Sequence, residues 1–206
     1  MSERPPPLPL EAGKPRVQRL VDELAPVHLE AEVPASDNWT VTVNGRVERP
    51  LTLDLEALRA LGEVEQTIDF HCVWGWSRPD TRWGGVTLDA LLAGAGVEPD
   101  ASYVTFTAHE SPYATCIPIA DARQGIVALE LEGERLPPIH GGPVRYVPPE
   151  HLWGYKGVKW LGRVTLVDKL EPGFWEEKVG DVPGRVPEGI LALFHKRREE
   201  RGRGAR

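Results

Sequence analysis

The sequence predicts one α+β domain, mixed and strand-rich, with a few short helices. Three observations carry that prediction: short apolar or alternating segments recur along the chain, two brief helical patterns interrupt them, and strands and helices do not alternate as a doubly wound parallel sheet requires. With 206 residues, 41% of them hydrophobic, the chain is long enough to bury a single sizeable core, and its 21 Gly and 20 Pro make it rich in turns.

Residues 1–16 are Pro-rich and polar and read as a flexible tail. Trp39, Val41 and Val43 alternate with Thr40 and Thr42 as a half-buried strand, and Asn44-Gly45 supplies a turn into a return strand at Arg46-Val47-Glu48, which Pro50 limits. Asp54 caps a two-turn helix that Gly62 stops. A strand follows at about 64–73, then a Gly, Pro and Arg loop. A second short helix runs from Thr87 to about Ala95, and strands are expected at about 103–108, 113–119, 127–132, 143–148 and 158–168, with a tight turn at Glu132-Gly133. The domain spans 17–194. The last twelve residues, from His195 to Arg206, hold six basic and two acidic side chains without apolar periodicity and read as a basic flexible tail.

A net charge of −7, with the body more acidic still once that tail is set aside, gives no reason to expect a nucleic-acid or anionic-membrane partner. The N-terminal residues show no apolar core of a signal peptide, no paired arginines and no small-residue cleavage site, and no stretch nears the roughly 18 apolar residues of a membrane span. A cytoplasmic protein without membrane insertion is expected. Two cysteines, Cys72 and Cys116, make no disulfide framework and are read as reduced thiols. Nothing specifies an oligomeric state.

Two constellations carry chemistry. In DFHCVWGWSRPDTRWGG, Cys72 ends an apolar strand and is presented to a loop holding Trp74, Trp76 and Trp83. Strand-end cysteines beside loop-lined clefts serve as reactive thiolates and metal ligands; a buried Cys acting as a small hydrophobe is the competing reading, and the tryptophans fit either a site wall or core. Zinc fits poorly, because no Cys-x-x-Cys exists and the six histidines lack ligand spacing. His71 points to the opposite face of the strand from Cys72, whereas His109 or His140 can approach it only through the fold. A lone thiolate suits a metal whose other soft ligands come from an organic cofactor. In HGGPVRYVPPEHLWGYKGVKWLGRV, Arg145, Lys156, Lys159 and Arg163 face Glu150 alone among interspersed glycines. This pattern suits a phosphate-bearing or otherwise anionic ligand, or else a charged Gly-rich hairpin at the surface; it matches neither nucleotide-loop motif.

Together, FHCVWGWS and HGGPVR followed by GVKWLGRV resemble the sulfite oxidase family of molybdopterin-binding oxidoreductases over roughly residues 17–180. The chain is most similar to its small single-domain members. The resemblance implies the sulfite-oxidase-type fold, molybdenum-molybdopterin as cofactor and Cys72 as its thiolate ligand. It also implies that His140 and Arg145 bind the pterin and its phosphate, with Gly157, Val158 and Lys159 as a second cofactor-binding run, in which the Gly157 backbone N–H completes a phosphate cradle. His28 falls near a family cofactor loop that carries an arginine, and Ala108 to Glu110 near another cofactor contact. Where the family's active-site tyrosine is expected, this sequence has Leu129. Arg78 and Arg82 are candidates to steer an anionic substrate. The expected reaction is oxygen-atom transfer to or from a small molecule, with electrons passing to or from a separate carrier. Reduction of sulfoxides, including methionine sulfoxide, a non-catalytic cofactor-binding module, and a metal-free thiol enzyme are the alternatives.

Overall fold

The structure, a computed structural model, describes residues 19–24, 38–180 and 182–204; the Pro-rich segment 1–16 and His28 lie outside these. Its strands form two sheets. One contains β1 (Arg19–Leu20), β4 (Val64–Cys72), β5 (Trp76–Thr87), β8 (Ile126–Leu131), β9 (Glu134–Arg135) and β10 (Arg145–Val147). The other runs in the order β3 (Leu51–Asp54), β2 (Thr40–Gly45), β11 (Leu161–Val167), β6 (Tyr103–Ala108) and β7 (Ala114–Pro118). The long strand β5 organises the first sheet, pairing with β4 and β8 antiparallel and with β1 parallel. In the second, β11 lies parallel to β2 and antiparallel to β6.

The main core lies between the sheets, where Val41 and Val43 of β2, Phe106 of β6, Val127 and Leu129 of β8, and Val164 and Leu166 of β11 are all buried. Phe106 stacks on Tyr146 of β10 with ring centroids 3.7 Å apart, joining the layers. The other face of β8 is buried too, as Ile126 and Ala128 pack with Phe70, Trp83 and Val147. A strand covered on both faces reads as a continuous apolar run, which is why Ile126-Val127-Ala128-Leu129 shows no alternation. Helices α1 (Leu55–Ala60) and α2 (Leu88–Ala93) close this core with Leu58, Leu88, Leu91 and Leu92. The expected Asp54 cap is made, its Oδ1 accepting from the Ala57 N–H at 2.8 Å, and Thr87 caps α2 in the same way, its Oγ1 accepting from the Ala90 N–H at 3.1 Å. Glu132 and Gly133 both take positive φ, 55° and 81°, in the two-residue turn joining β8 to β9. Two further short helices are α3 (Ile119–Ala122) and α4 (Phe174–Val179).

Three expectations are corrected. The return strand of the first hairpin is β3, not 46–48. Asn44 stays in β2 and accepts from the Thr165 hydroxyl at 2.8 Å, so the tight turn does not form, and Val47 bridges Val97 instead. The loop expected after Cys72 is only Val73-Trp74-Gly75, followed at once by β5. Pro79 hid this strand, and its missing N–H is accommodated where the register slips between Ile68 and Phe70, with the Asp80 N–H bonded to Asp69 Oδ1 at 2.7 Å. Residues 195–204, expected as a flexible tail, continue helix α5 (Glu188–Gly204), whose Ile190 and Phe194 are buried.

Candidate active site

The pleat of the β4–β5 hairpin sorts its side chains into two sets. Cys72 is directly opposite Trp76, and Phe70 directly opposite Arg78, so these four share one face; His71 and Ser77 are paired on the other. Cys72 is half-buried. Trp76 stacks on Phe70 at 5.8 Å. On the opposite face His71 Nδ1 lies 2.7 Å from Ser77 Oγ, and burial, with His195 nearby, holds the imidazole down to about 4. A ring facing away cannot serve as the base for Cys72, as the alternation foretold.

The Cys72 face meets the cations of the second constellation. Arg145, on β10, is only 4% exposed, and its guanidinium lies 5.2 Å from the centroids of both Phe70 and Trp83. Its Nη1 donates to the His140 carbonyl at 3.0 Å, while its Nε is buried without a partner among the described residues. Burial lowers the guanidinium to about 10. His140, at the end of a 3-10 turn (Pro138–His140), also has a buried Nδ1 without a partner among the described residues, and burial plus the nearby Lys159, Arg145 and Arg78, opposed by Glu23, lower the proton affinity of the ring. Lys159 is pushed down to about 7 by burial and by Arg145, opposed by the charge of Cys72. Cys72, His140, Arg145 and Lys159 therefore form one electrostatically coupled group. Its cations outnumber its acids, and its buried nitrogens await acceptors: an anionic ligand beside a single thiolate satisfies both conditions.

Other candidates are placed differently. Val158 is buried, and its N–H donates to the Tyr146 carbonyl at 3.0 Å; the Gly157 N–H donates to the Gly154 carbonyl at 3.1 Å. Neither N–H is open to a phosphate, which corrects the expected backbone cradle. Gly157 is required for another reason, since a Cβ there would sit 2.9 Å from both the Tyr146 carbonyl and Pro148. Arg78 does face the group, yet its Nη2 bonds Glu132 at 2.6 Å and its Nε donates to the Asp22 carbonyl at 3.0 Å. Arg82 stands four residues further along β5, about 13 Å at strand spacing, half-exposed and held by Glu132 and Glu65. Burial by itself would raise the Glu132 carboxyl, but the Arg82 N–H and the Arg78 guanidinium bring it below its ordinary value. Glu110 is exposed at the tip of the β6–β7 hairpin and, with His109, Thr40, Thr42 and Arg163, lines a separate depression of about 440 Å³ on the second sheet. Of the tryptophans, Trp83 is core, Trp76 flanks Phe70 and Trp74 is 40% exposed.

Sequence reasoning missed three participants. Phe70 beneath Arg145 was readable from its spacing two residues before Cys72. Tyr113, whose partly buried phenol stays protonated, donates to the Tyr155 carbonyl at 2.7 Å and lies within electrostatic reach of Arg145, carried no signal. Glu132 was read only as a turn residue.

The model of the oxidoreductase molybdopterin binding domain matches residues 28–175, well over half of the chain. The uncharacterized oxidoreductase YuiH of Bacillus subtilis (strain 168) is 36% identical over 171 residues, covering 81% of this chain and 85% of that protein. The protein-methionine-sulfoxide reductase catalytic subunit MsrP of Gluconobacter oxydans (strain 621H) is 30% identical over 165 residues, covering 71% of this chain but 52% of that one, so the chain spans about half the length of this relative. The sulfane dehydrogenase SoxCD from Paracoccus pantotrophus shares the fold with a TM-score of 0.60 at 24% identity, over 66% of this chain and 40% of that chain. A thiol facing under-bonded buried cations, on a fold and sequence of this kind, makes the chain a member of the oxidoreductase molybdopterin binding domain family, an enzyme of the sulfite-oxidase-type fold that binds molybdenum-molybdopterin.

Proposed function

We propose that Cys72 Sγ ligates the molybdenum and that the protein transfers an oxygen atom between a small sulfur compound and water. One observation carries this reading: Cys72 converges with Arg145, His140 and Lys159, and Arg145 Nε and His140 Nδ1 are buried without partners among the described residues. The cofactor fits these residues, because its phosphate answers the cations and its sulfur-held metal accepts one further soft thiolate. When bound it supplies a metal centre that exchanges an oxygen atom with a two-electron change of oxidation state. Arg145 Nε and the Lys159 ammonium bind the anionic phosphate, and an anion beside Lys159 returns its proton affinity toward the ordinary lysine range. The His140 ring, with its buried Nδ1 unpartnered among the described residues, is placed to hydrogen-bond the pterin edge. Phe70, Trp76 and Trp83 exclude water behind the guanidinium, strengthening its field.

Within that chemistry the charges favour a neutral substrate. Arg78 and Arg82 are engaged by Glu132, Glu65 and the Asp22 carbonyl, leaving neither guanidinium for a dianion such as sulfite. Leu129, standing where a tyrosine was expected, is buried in the core. A sulfoxide fits: with two protons and two electrons from a separate carrier it yields a thioether and water, and MsrP is named for a reaction of that class. A content of only two cysteines in 206 residues agrees with a reducing compartment, and we place the protein in the cytoplasm.

The test is elemental analysis of protein made in a host that synthesises the pterin, followed by sulfoxide reduction with a reduced dye and sulfite oxidation with a one-electron acceptor. Stoichiometric molybdenum and turnover of the sulfoxide alone are expected, and Cys72→Ser abolishes turnover while largely sparing pterin retention. Molybdenum-free protein from a competent host overturns the ligand assignment in favour of a thiol enzyme or a binding module, and full activity in Cys72→Ser overturns any role of Cys72 in turnover. Sulfite as the faster substrate overturns the charge argument.

A further inference from the structure

Helix α5 lies beyond the segment that matches the family, yet it packs behind the residues on either side of Cys72. Phe194 is fully buried, with its ring edge-on to His71 at 4.6 Å, and Ile190 belongs to the apolar cluster that contains Val73. His71 points away from the Cys72 face, and Val73 packs on the same side against Ile190, so α5 grips the strand end from the rear while the thiol faces the cations. Further along the same helical stripe, Arg198 bonds Asp69 Oδ2 at 2.9 Å and also pairs with Asp80, clasping the irregularity where β4 and β5 change register. Arg201 pairs with Asp22, just after β1, and β1 in turn holds the turn beyond Cys72 through the Arg19 N–H to the Gly75 carbonyl at 2.8 Å. Four contacts from one helix thus converge on a single hairpin.

We propose that α5 is a positioning element for Cys72, with Phe194 and Arg198 as the residues that set the orientation and exposure of its thiol. This concerns the thiol itself and stands whether or not the sulfur binds a metal. The experiment uses the full chain without cofactor, alkylated by iodoacetamide, with the rate at each cysteine read by mass spectrometry. Cys116, 1% exposed on β7 in the other sheet, is the internal reference for global loosening. Arg198→Ala leaves the core intact and is expected to raise the Cys72 rate about fivefold, with Phe194→Ala raising it more and Arg198→Lys restoring most of the wild-type value, while Cys116 stays silent. In the loaded enzyme the same alanine variants shift the molybdenum paramagnetic resonance signal at unchanged metal content. Equal Cys72 rates in wild type and both alanine variants, or a rise at Cys72 matched by one at Cys116, overturns the proposal. Molybdenum-free wild type with the expected rates overturns only the metal-ligand reading and leaves the positioning role in place.

Discussion

Arg145 and Lys156 lie eleven residues apart in one cationic segment, and both are nearly or fully buried, but the protein treats them in opposite ways. Lys156 Nζ is fully answered from within: it donates to Glu176 Oε1 at 2.7 Å, the Val182 carbonyl at 2.7 Å and the Cys116 carbonyl at 3.2 Å. Arg145 has the His140 carbonyl and two aromatic faces, no carboxylate partner among the described residues and one orphaned nitrogen. Burying a charge is costly unless it is paired, so a cation answered by the chain belongs to the fold, while one left short belongs to a ligand. Lys156 fastens α4 and the segment at Val182 to β7; Arg145 waits beside Cys72.

Three measurements break or sharpen that contrast. The largest effect is expected at the fold's own cation. Lys156→Met strands Glu176 as a buried unpaired carboxylate and should lower unfolding free energy by about 3–5 kcal/mol in urea titrations, whereas the joint Lys156→Met, Glu176→Leu change should cost far less. A loss below about 1 kcal/mol for the single change would show that this pair is not structural. Next, Arg145→Met should leave the stability of cofactor-free protein within about 1 kcal/mol of wild type, because an under-bonded guanidinium gives way to an apolar chain of similar length. In the same variant, pterin retention after gel filtration should fall by at least about tenfold. A strongly destabilised variant that keeps its cofactor would reverse the assignment.

The smallest effect belongs to the surface network of Arg78, Arg82 and Glu132. The folded state holds the Glu132 carboxyl below its ordinary value, so its contribution is fully present above that value and is lost as pH falls through it toward the folded one. Thermal melts of wild type and Glu132→Gln should therefore differ by a few degrees near neutral pH and converge as pH falls below the ordinary carboxylate range. A gap that persists in acid assigns Glu132 a role in the turn geometry alone.

Much of the fold was legible because its cues are local. Asp54 and Thr87 cap helices through bonds made three residues away, and Glu132-Gly133 forms its turn from its own backbone preferences. The apolar runs around Val127 and Val164 located strands to within a few residues. What failed had distant causes. β5 was masked by Pro79, which is tolerated only because Asp69 on the neighbouring strand receives the displaced Asp80 N–H. Residues 195–204 looked like a solvated charge run because the partners of Arg198 and Arg201 are Asp69, Asp80 and Asp22, more than a hundred residues earlier. Gly157 and Val158 looked like a phosphate cradle, but their N–H groups are spent within the chain.

By itself, then, the sequence determined the class of fold, the Asp54 cap, the tight turn and the presence of one strand-end cysteine and one cationic Gly-rich segment, since residue types, spacing and local hydrogen bonds decide these. Only the tertiary structure decided which cations are spent and which are left for a ligand. Lys156, Arg78 and Arg82 are alike in sequence to Arg145 and Lys159, and they differ only in whether the fold brings a carboxylate to them. Burial and partner geometry, neither of which is a local property, set that difference, and with it the place we propose for the cofactor.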